Sequence, residues 1–180
     1  SDGLFRGGIK VSEPIAVDVD QGGNIHVLLK TAAGYVINVF NNSFVKKKYI
    51  RLPQISAPSH FSINSYNEYY VIDSENGNAS YMDSTGASLS KKIGVKSSTK
   101  GRQQFSEPTR ILSKSINHKD DLLYIMDVDF MEIQSFTISS DSLRNEIRPS
   151  VPKFDLRIVE DRKRTPAFDI VFDKELEYSI

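Results

Sequence analysis

The sequence predicts an all-β chain whose four-stranded antiparallel sheets stack as the blades of a propeller, and three observations carry that prediction. A proline-led unit recurs about every 45 residues. Each complete unit holds four short runs of strand-forming residues separated by turn residues. No stretch carries the 3.6-residue apolar period of an amphipathic helix.

The first unit opens with Glu13-Pro14-Ile15-Ala16-Val17-Asp18-Val19, turns at Gly22-Gly23-Asn24 and continues as Ile25-His26-Val27-Leu28-Leu29. The second opens with Ala57-Pro58-Ser59-His60-Phe61-Ser62-Ile63, turns at Tyr66-Asn67-Glu68 and continues as Tyr69-Tyr70-Val71-Ile72-Asp73, matching the first without a gap. The third opens with Glu107-Pro108-Thr109-Arg110-Ile111-Leu112, has a longer turn through Asn117-His118-Lys119-Asp120, and continues as Leu122 to Asp127. A fourth opening, Thr165-Pro166-Ala167-Phe168-Asp169-Ile170-Val171, is followed by Leu176 to Ile180.

Each of the first three units adds a third and a fourth strand: Tyr35 to Phe40 and Phe44 to Ile50, Ala79 to Asp83 and Ala87 to Ile93, Ile133 to Phe136 and Ser142 to Ile147. Their turns, Asn41-Asn42, Asp83-Ser84-Thr85-Gly86 and Ser139-Ser140-Asp141, hold residues that tolerate turn dihedrals. The units span about 11–53, 55–97 and 105–148, with part of a fourth at 165–180, in a single propeller segment. Alternation predicts that Val17 and Val19, like Phe61, Ile63 and Ile111 in the same places, are buried against a neighbouring blade. The fourth strands carry Lys46-Lys47-Lys48 and Lys91-Lys92, charges suited to guarding an outer edge. Residues 148–164, with a charge cluster from Glu160 to Arg164, read as a long connection. The Ser- and Lys-rich stretch from Gly94 to Ser106 reads as a mobile one.

Composition narrows the function classes. A chain of 180 residues with 39% hydrophobic content can bury a real core. Lys plus Arg and Asp plus Glu are equal at 23 each, so no global field draws it to nucleic acid or membrane. The absence of cysteine excludes disulfides and thiolate metal sites. No run of 18 apolar residues marks a membrane helix. The opening Ser1-Asp2-Gly3-Leu4 reads as a processed or cut N-terminus, which fits a soluble periplasmic or extracellular protein.

The stretch from Gly101 to Ile111, with Gln104-Phe105 ahead of a proline-led strand, resembles the start of a blade in NHL-repeat propellers. The segments Val11 to Asp18 and Gly23 to Val27 look like the same family's first and second strands. The resemblance covers most of residues 4–147 and, more weakly, 165–180. It implies a ring of six blades, so the chain reads as a portion of a longer propeller, with two chains completing one ring or a compact four-bladed ring as the alternatives. The absence of tryptophan sets it apart from WD40 propellers.

Propellers bind on the axis or on the face formed by inter-blade loops, which makes the slot two residues past each proline informative: Ala16, His60, Arg110 and Phe168. His60 and Arg110 form the candidate ligand-binding pair, with the guanidinium suited to an anionic group. A lyase or hydrolase site would need several inner-strand histidines and carboxylates. His26 instead fills a slot held by Tyr70 and Tyr124 in the sister units, where it reads as a packed strand residue, and His118 sits in a polar insertion. No nucleophile elbow, phosphate loop or calcium spacing is present. The segment from Ser84 to Ser106 holds Lys91, Lys92, Lys96, Lys100 and Arg102 with no acidic residue, but no interleaved aromatics for stacking bases. The expectation is a binding module for a protein or polymer, with no cofactor and no metal. A propeller enzyme and a single-stranded RNA binder are the alternatives.

Overall fold

The computed structural model describes residues 7–116, 120–139 and 148–150. Its strands form three four-stranded antiparallel sheets, each a meander in chain order. Blade 1 comprises β1 (Pro14–Val19), β2 (Ile25–Thr31), β3 (Gly34–Phe40) and β4 (Lys46–Arg51). Blade 2 comprises β5 (Pro58–Ile63), β6 (Tyr69–Asp73), β7 (Asn78–Met82) and β8 (Ser88–Ile93). A short parallel pair, β9 (Val95–Lys96) and β10 (Gln104–Phe105), leads to blade 3, made of β11 (Pro108–Ser115), β12 (Asp120–Asp127), β13 (Glu132–Ser139) and β14 (Arg148–Ser150).

Every blade begins the same way. The strand's first residue is a proline, which lacks an N–H and is tolerated there. A register shift follows at once, between Pro14 and Ala16, Pro58 and His60, and Pro108 and Arg110. Ile15, Ser59 and Thr109 are thus the extra residues of three equivalent β-bulges, which twist the inner strand locally.

The tight turns share one rule as well. Asp20, Asn41, Asn64 and Asp83 each directly follow a strand, and each side-chain oxygen accepts the backbone N–H four residues on, from Asn24, Val45, Glu68 and Ala87. The residue at the third place past the Asx has positive φ in all four: Gly23, Phe44, Asn67 and Gly86. A short carboxylate or amide is what lets the backbone close this loop.

Inner strands pack side by side, β1 on β5 and β5 on β11. Leu28, Ile37, Val39 and Ile50 of blade 1 meet Phe61, Tyr69, Val71 and Met82 of blade 2 in one core. Tyr70, Ile72, Ala79 and Ile93 on the other face of blade 2 meet Ile111, Leu123, Ile125 and Phe136 of blade 3 in the next. The unbroken apolar run in β6 follows from this: Tyr69 and Val71 point one way, Tyr70 and Ile72 the other, and both faces are covered. Burying each such side chain stabilises the stack by roughly 1.5–3 kcal/mol.

Three expectations are corrected. Val17 and Val19 are 60% and 55% exposed, because no sheet among the described residues covers that face of blade 1, whereas Phe61 and Ile111 in the same slot are buried. The stretch from Gly94 to Ser106 is tied down: β9 and β10 pair in it, and Phe105 is fully buried beside Phe136. The strand that pairs with β13 is Arg148–Ser150, a segment the sequence placed in a connection. The proposed strand Ser142 to Ile147, most of the turn before it, the cluster from Glu160 to Arg164, His118, Phe168 and the unit at 165–180 lie outside the described residues.

Candidate binding clefts between the blades

Among the described residues, two clefts open where blades meet, one at each end of the strands. The first, about 400 Å³, lies between blades 1 and 2 at the end where the hairpins turn. Its floor is a buried hydrogen-bonded row. The Tyr69 hydroxyl of β6 is 3.0 Å from Nδ1 of His26 in β2, and His26 Nε2 is 3.1 Å from Asp20 Oδ2. Asn24 adds its backbone N–H at 2.8 Å and its side-chain amide at 2.8 Å to the same carboxylate.

The acids and bases in this row assign one another's protons. Hydrogen bonds from Asn24 and His26 outweigh the burial of Asp20 and hold it below the usual carboxylate range. An ionised carboxylate only accepts, so Nε2 of His26 carries the hydrogen. Burial raises Tyr69 far above the usual phenol range, so its O–H stays and donates to Nδ1. His26 is therefore neutral, and burial, with Lys48 nearby, lowers its pKa.

The blade 2–blade 3 junction carries the counterpart. There Asp121 Oδ2 accepts the Tyr70 hydroxyl at 2.8 Å and the Asn64 amide at 2.7 Å, while its Oδ1 accepts the Ser115 hydroxyl at 2.7 Å. Tyr81 stacks on Tyr70 at 4.8 Å and donates to Glu68. Closer to the inner strands, Asp18 Oδ2 accepts the Ile63 N–H at 3.0 Å, and Ser62 Oγ accepts the Ser113 N–H at 2.9 Å in the corresponding position one blade on. Burial raises the pKa of Asp18 despite these bonds. Buried polar groups at each junction thus fasten one blade to the next.

The second cleft, about 470 Å³, opens at the opposite end between blades 2 and 3, on the inter-blade-loop face. Ala57, Ser74, Glu75, Lys96, Ser106 and Glu107 line it. Its rim is set by two carboxylates at the ends of second strands. Asp73 accepts the N–H groups of Ser56 at 3.0 Å and Ala57 at 3.2 Å, and Asp127 accepts those of Ser106 at 2.6 Å and Glu107 at 3.1 Å. Each thereby holds the two residues ahead of its blade's proline. The Lys96 ammonium spans the cleft from the Ser74 carbonyl, at 3.2 Å, to the Ser106 carbonyl.

His60 and Arg110 occupy the same register position on adjacent blades, opposite Ile72 and Met126. Both are half-buried, and Arg110 Nη1 donates to the Thr109 carbonyl at 3.0 Å. Ala16, in that slot on blade 1, packs on the blade 1–blade 2 core, so there the slot faces the following blade. Of the basic segment, Lys96 turns into the second cleft, Lys92 is exposed on β8, and Lys100 and Arg102 are exposed between β9 and β10; Lys91 is described by its backbone in β8 alone. Sequence reasoning assigns no role to Asp20 or Tyr69, and it weighs Asp73 and Asp127 only against calcium-loop spacing, which they lack. The recurrence of Asp at the end of two second strands was the available signal for the last pair.

Among the described residues no three or more His, Cys, Asp or Glu side chains gather as a metal site. Among them, too, no helix is long and apolar enough to cross a membrane. No family model and no curated protein matches the chain. Among solved structures it is similar to a catalytically inactive histidine-to-alanine variant of virginiamycin B lyase from Staphylococcus aureus, crystallised with quinupristin. The TM-score is 0.50 and the identity 14%, covering 81% of this chain and 42% of that one. The chain thus spans less than half of that neighbour's length. At this identity the likeness is one of fold, and with the stacked meanders it makes the fold that of a β-propeller.

Proposed function

We propose that the chain is a recognition segment of an NHL-like propeller, holding a protein or polymer partner on its inter-blade-loop face without transforming it. The cleft between blades 2 and 3 is the observation that supports this. Its walls are fixed by Asp73 and Asp127, and it is open, lined by the exposed residues Glu75 and Glu107 together with Lys96, whose ammonium donates to the Ser74 carbonyl. A rigid, charged, accessible rim suits a macromolecular partner better than a sequestered reaction. His60 and Arg110 rise from the same end and are proposed to add donors for an anionic group. Among the described residues, the phenols buried at the junctions and the groups they bond spend their hydrogen bonds on fastening blades.

Panels of immobilised proteins and polysaccharides test this, comparing the chain with a variant carrying Glu75→Lys and Glu107→Lys. A partner that binds the chain and is lost about tenfold or more in the variant, at unchanged melting temperature, supports the loop face. A partner indifferent to both changes overturns it.

The neighbour's activity favours a second reading, a lyase. Incubation with quinupristin, followed by chromatography, tests it: conversion that disappears in His60→Ala would replace the binding reading. Single-stranded RNA has less support, since the Lys96 ammonium is committed to two carbonyls.

A further inference from the structure

We infer that the first cleft, at the hairpin end of the blade 1–blade 2 junction, binds an acidic sugar, meaning a hydroxyl-rich ring that carries a carboxylate or a phosphate. Its volume of about 400 Å³ falls within the range of small-molecule sites. The floor is rigid, because His26 and Tyr69 are buried and bonded to each other, and the Asp20 carboxylate at its end already accepts from Asn24 and His26.

The positive charge sits on the walls. Lys47 and Lys48 project from β4, and both are exposed. The Lys48 ammonium reaches across to blade 2 and donates to the Ser84 carbonyl at 3.1 Å, which holds it over the opening with further N–H groups to offer. Among the described lining residues Asp20 is the one carboxylate, so two cations against one anion leave a single positive charge there. Its oxygens already accept from Asn24 and His26, which matches that anion internally and leaves the lysines to face an incoming one.

The remaining lining residues suit a sugar ring more than a bare anion. Tyr66 is 42% exposed, and its backbone N–H is tied to Asn64 Oδ1 at 3.0 Å, so its ring stands on a fixed turn and offers a flat apolar face. Asn67 beside it is exposed and offers amide donors and an acceptor to hydroxyls. A nucleic-acid strand would call for a succession of stacking rings along the groove, and among the described residues Tyr66 is the one exposed ring lining it.

The test is titration with glucuronate, glucose 6-phosphate, glucose and inorganic phosphate, read by calorimetry or ligand-observed NMR. A ligand of this size in an open cleft is expected to bind with a Kd on the order of 1 mM. At least one acidic sugar should saturate, glucose should bind about tenfold or more weakly, and binding should weaken as salt rises. The two acidic probes separate a carboxylate-bearing ligand from a phosphate-bearing one. Lys47→Gln with Lys48→Gln, and separately Tyr66→Ala, change exposed side chains and should leave the melting temperature alone while weakening binding several-fold or more. Failure of both acidic sugars to saturate, equal binding of glucose, inorganic phosphate matching glucose 6-phosphate, or indifference to the lysine variant each overturns the inference. Glu75→Lys with Glu107→Lys lies at the other end of the blades and should leave this binding intact, so the two sites fail or stand separately.

Discussion

The Tyr69 hydroxyl of blade 2 sits 3.0 Å from the His26 ring of blade 1, a buried bond across the junction, and the ring's other nitrogen continues the row to the Asp20 carboxylate. The arrangement is built for a neutral imidazole, and burial lowers the pKa of His26. The unfolded chain therefore takes up this proton more readily than the folded one. Its stabilisation is complete above the ordinary value of 6.5 and declines as pH falls below it. Asp20 and Asp73, both held low, lose theirs only as pH falls below 3.8. Thermal melts across this range should show a first decline just below neutrality, and His26→Gln should remove that decline while leaving the acid one.

Tyr69→Phe isolates the bond itself. It leaves the ring in place but strips Nδ1 of its buried donor, at a cost of about 1–3 kcal/mol by denaturant titration. An indifferent Tyr69→Phe would mean that water reaches the His26 ring from the first cleft.

Much of this fold is legible in the chain because its signals are local. Pro14, Pro58 and Pro108 each start an inner strand, and the alternation behind them names Phe61 and Ile111 as core residues, while it also names Val17 and Val19, which are exposed. The clefts are not local. His26 meets Tyr69 only because blade 2 stacks on blade 1 with that offset, whereas comparing slots from unit to unit sets His26 beside Tyr70 and Tyr124 instead. Phe105 was missed for a related reason. The polar residues around it look like a loop, and only the stacked blades show the core its ring fills.

Asp73 answers several donors at once: Ser56, Ala57 and Asn76 by their backbone N–H groups, and the Asn76 amide at 2.8 Å. Asp73→Ala should orphan these donors together and cost about 3 kcal/mol. Asp73→Asn keeps the shape with fewer acceptors and should cost less. Asp127→Ala should behave alike, because it holds the Ser106, Glu107 and Phe130 N–H groups in the equivalent place. If Asp73→Ala alone were silent, the two clamps would not be equivalent.

Two turn glycines separate strain from crowding. Gly23 has φ +76° with nothing within 4 Å of an added Cβ, so Gly23→Ala meets only the left-handed backbone penalty of about 1–2 kcal/mol. Gly86 has φ +88°, and its added Cβ would overlap Ile50 Cγ2. Gly86→Ala should therefore cost about 1–3 kcal/mol more than Gly23→Ala, the difference being the displacement of a buried Ile50. Denaturant midpoints of the two variants give the comparison.

Val17 and Phe61 hold the same place on adjacent blades, one 60% exposed and the other buried against blade 1. Phe61→Ala should cost about 3–5 kcal/mol by opening a cavity in the blade 1–blade 2 core. Val17→Ala, on an uncovered surface, should stay within about 0.5 kcal/mol. The repeat makes the second number informative, since at both internal junctions this face receives the opposite face of another blade. A cost for Val17→Ala approaching 2 kcal/mol, or one that grows with protein concentration, would mean that Val17 and Val19 are covered in solution by a further sheet.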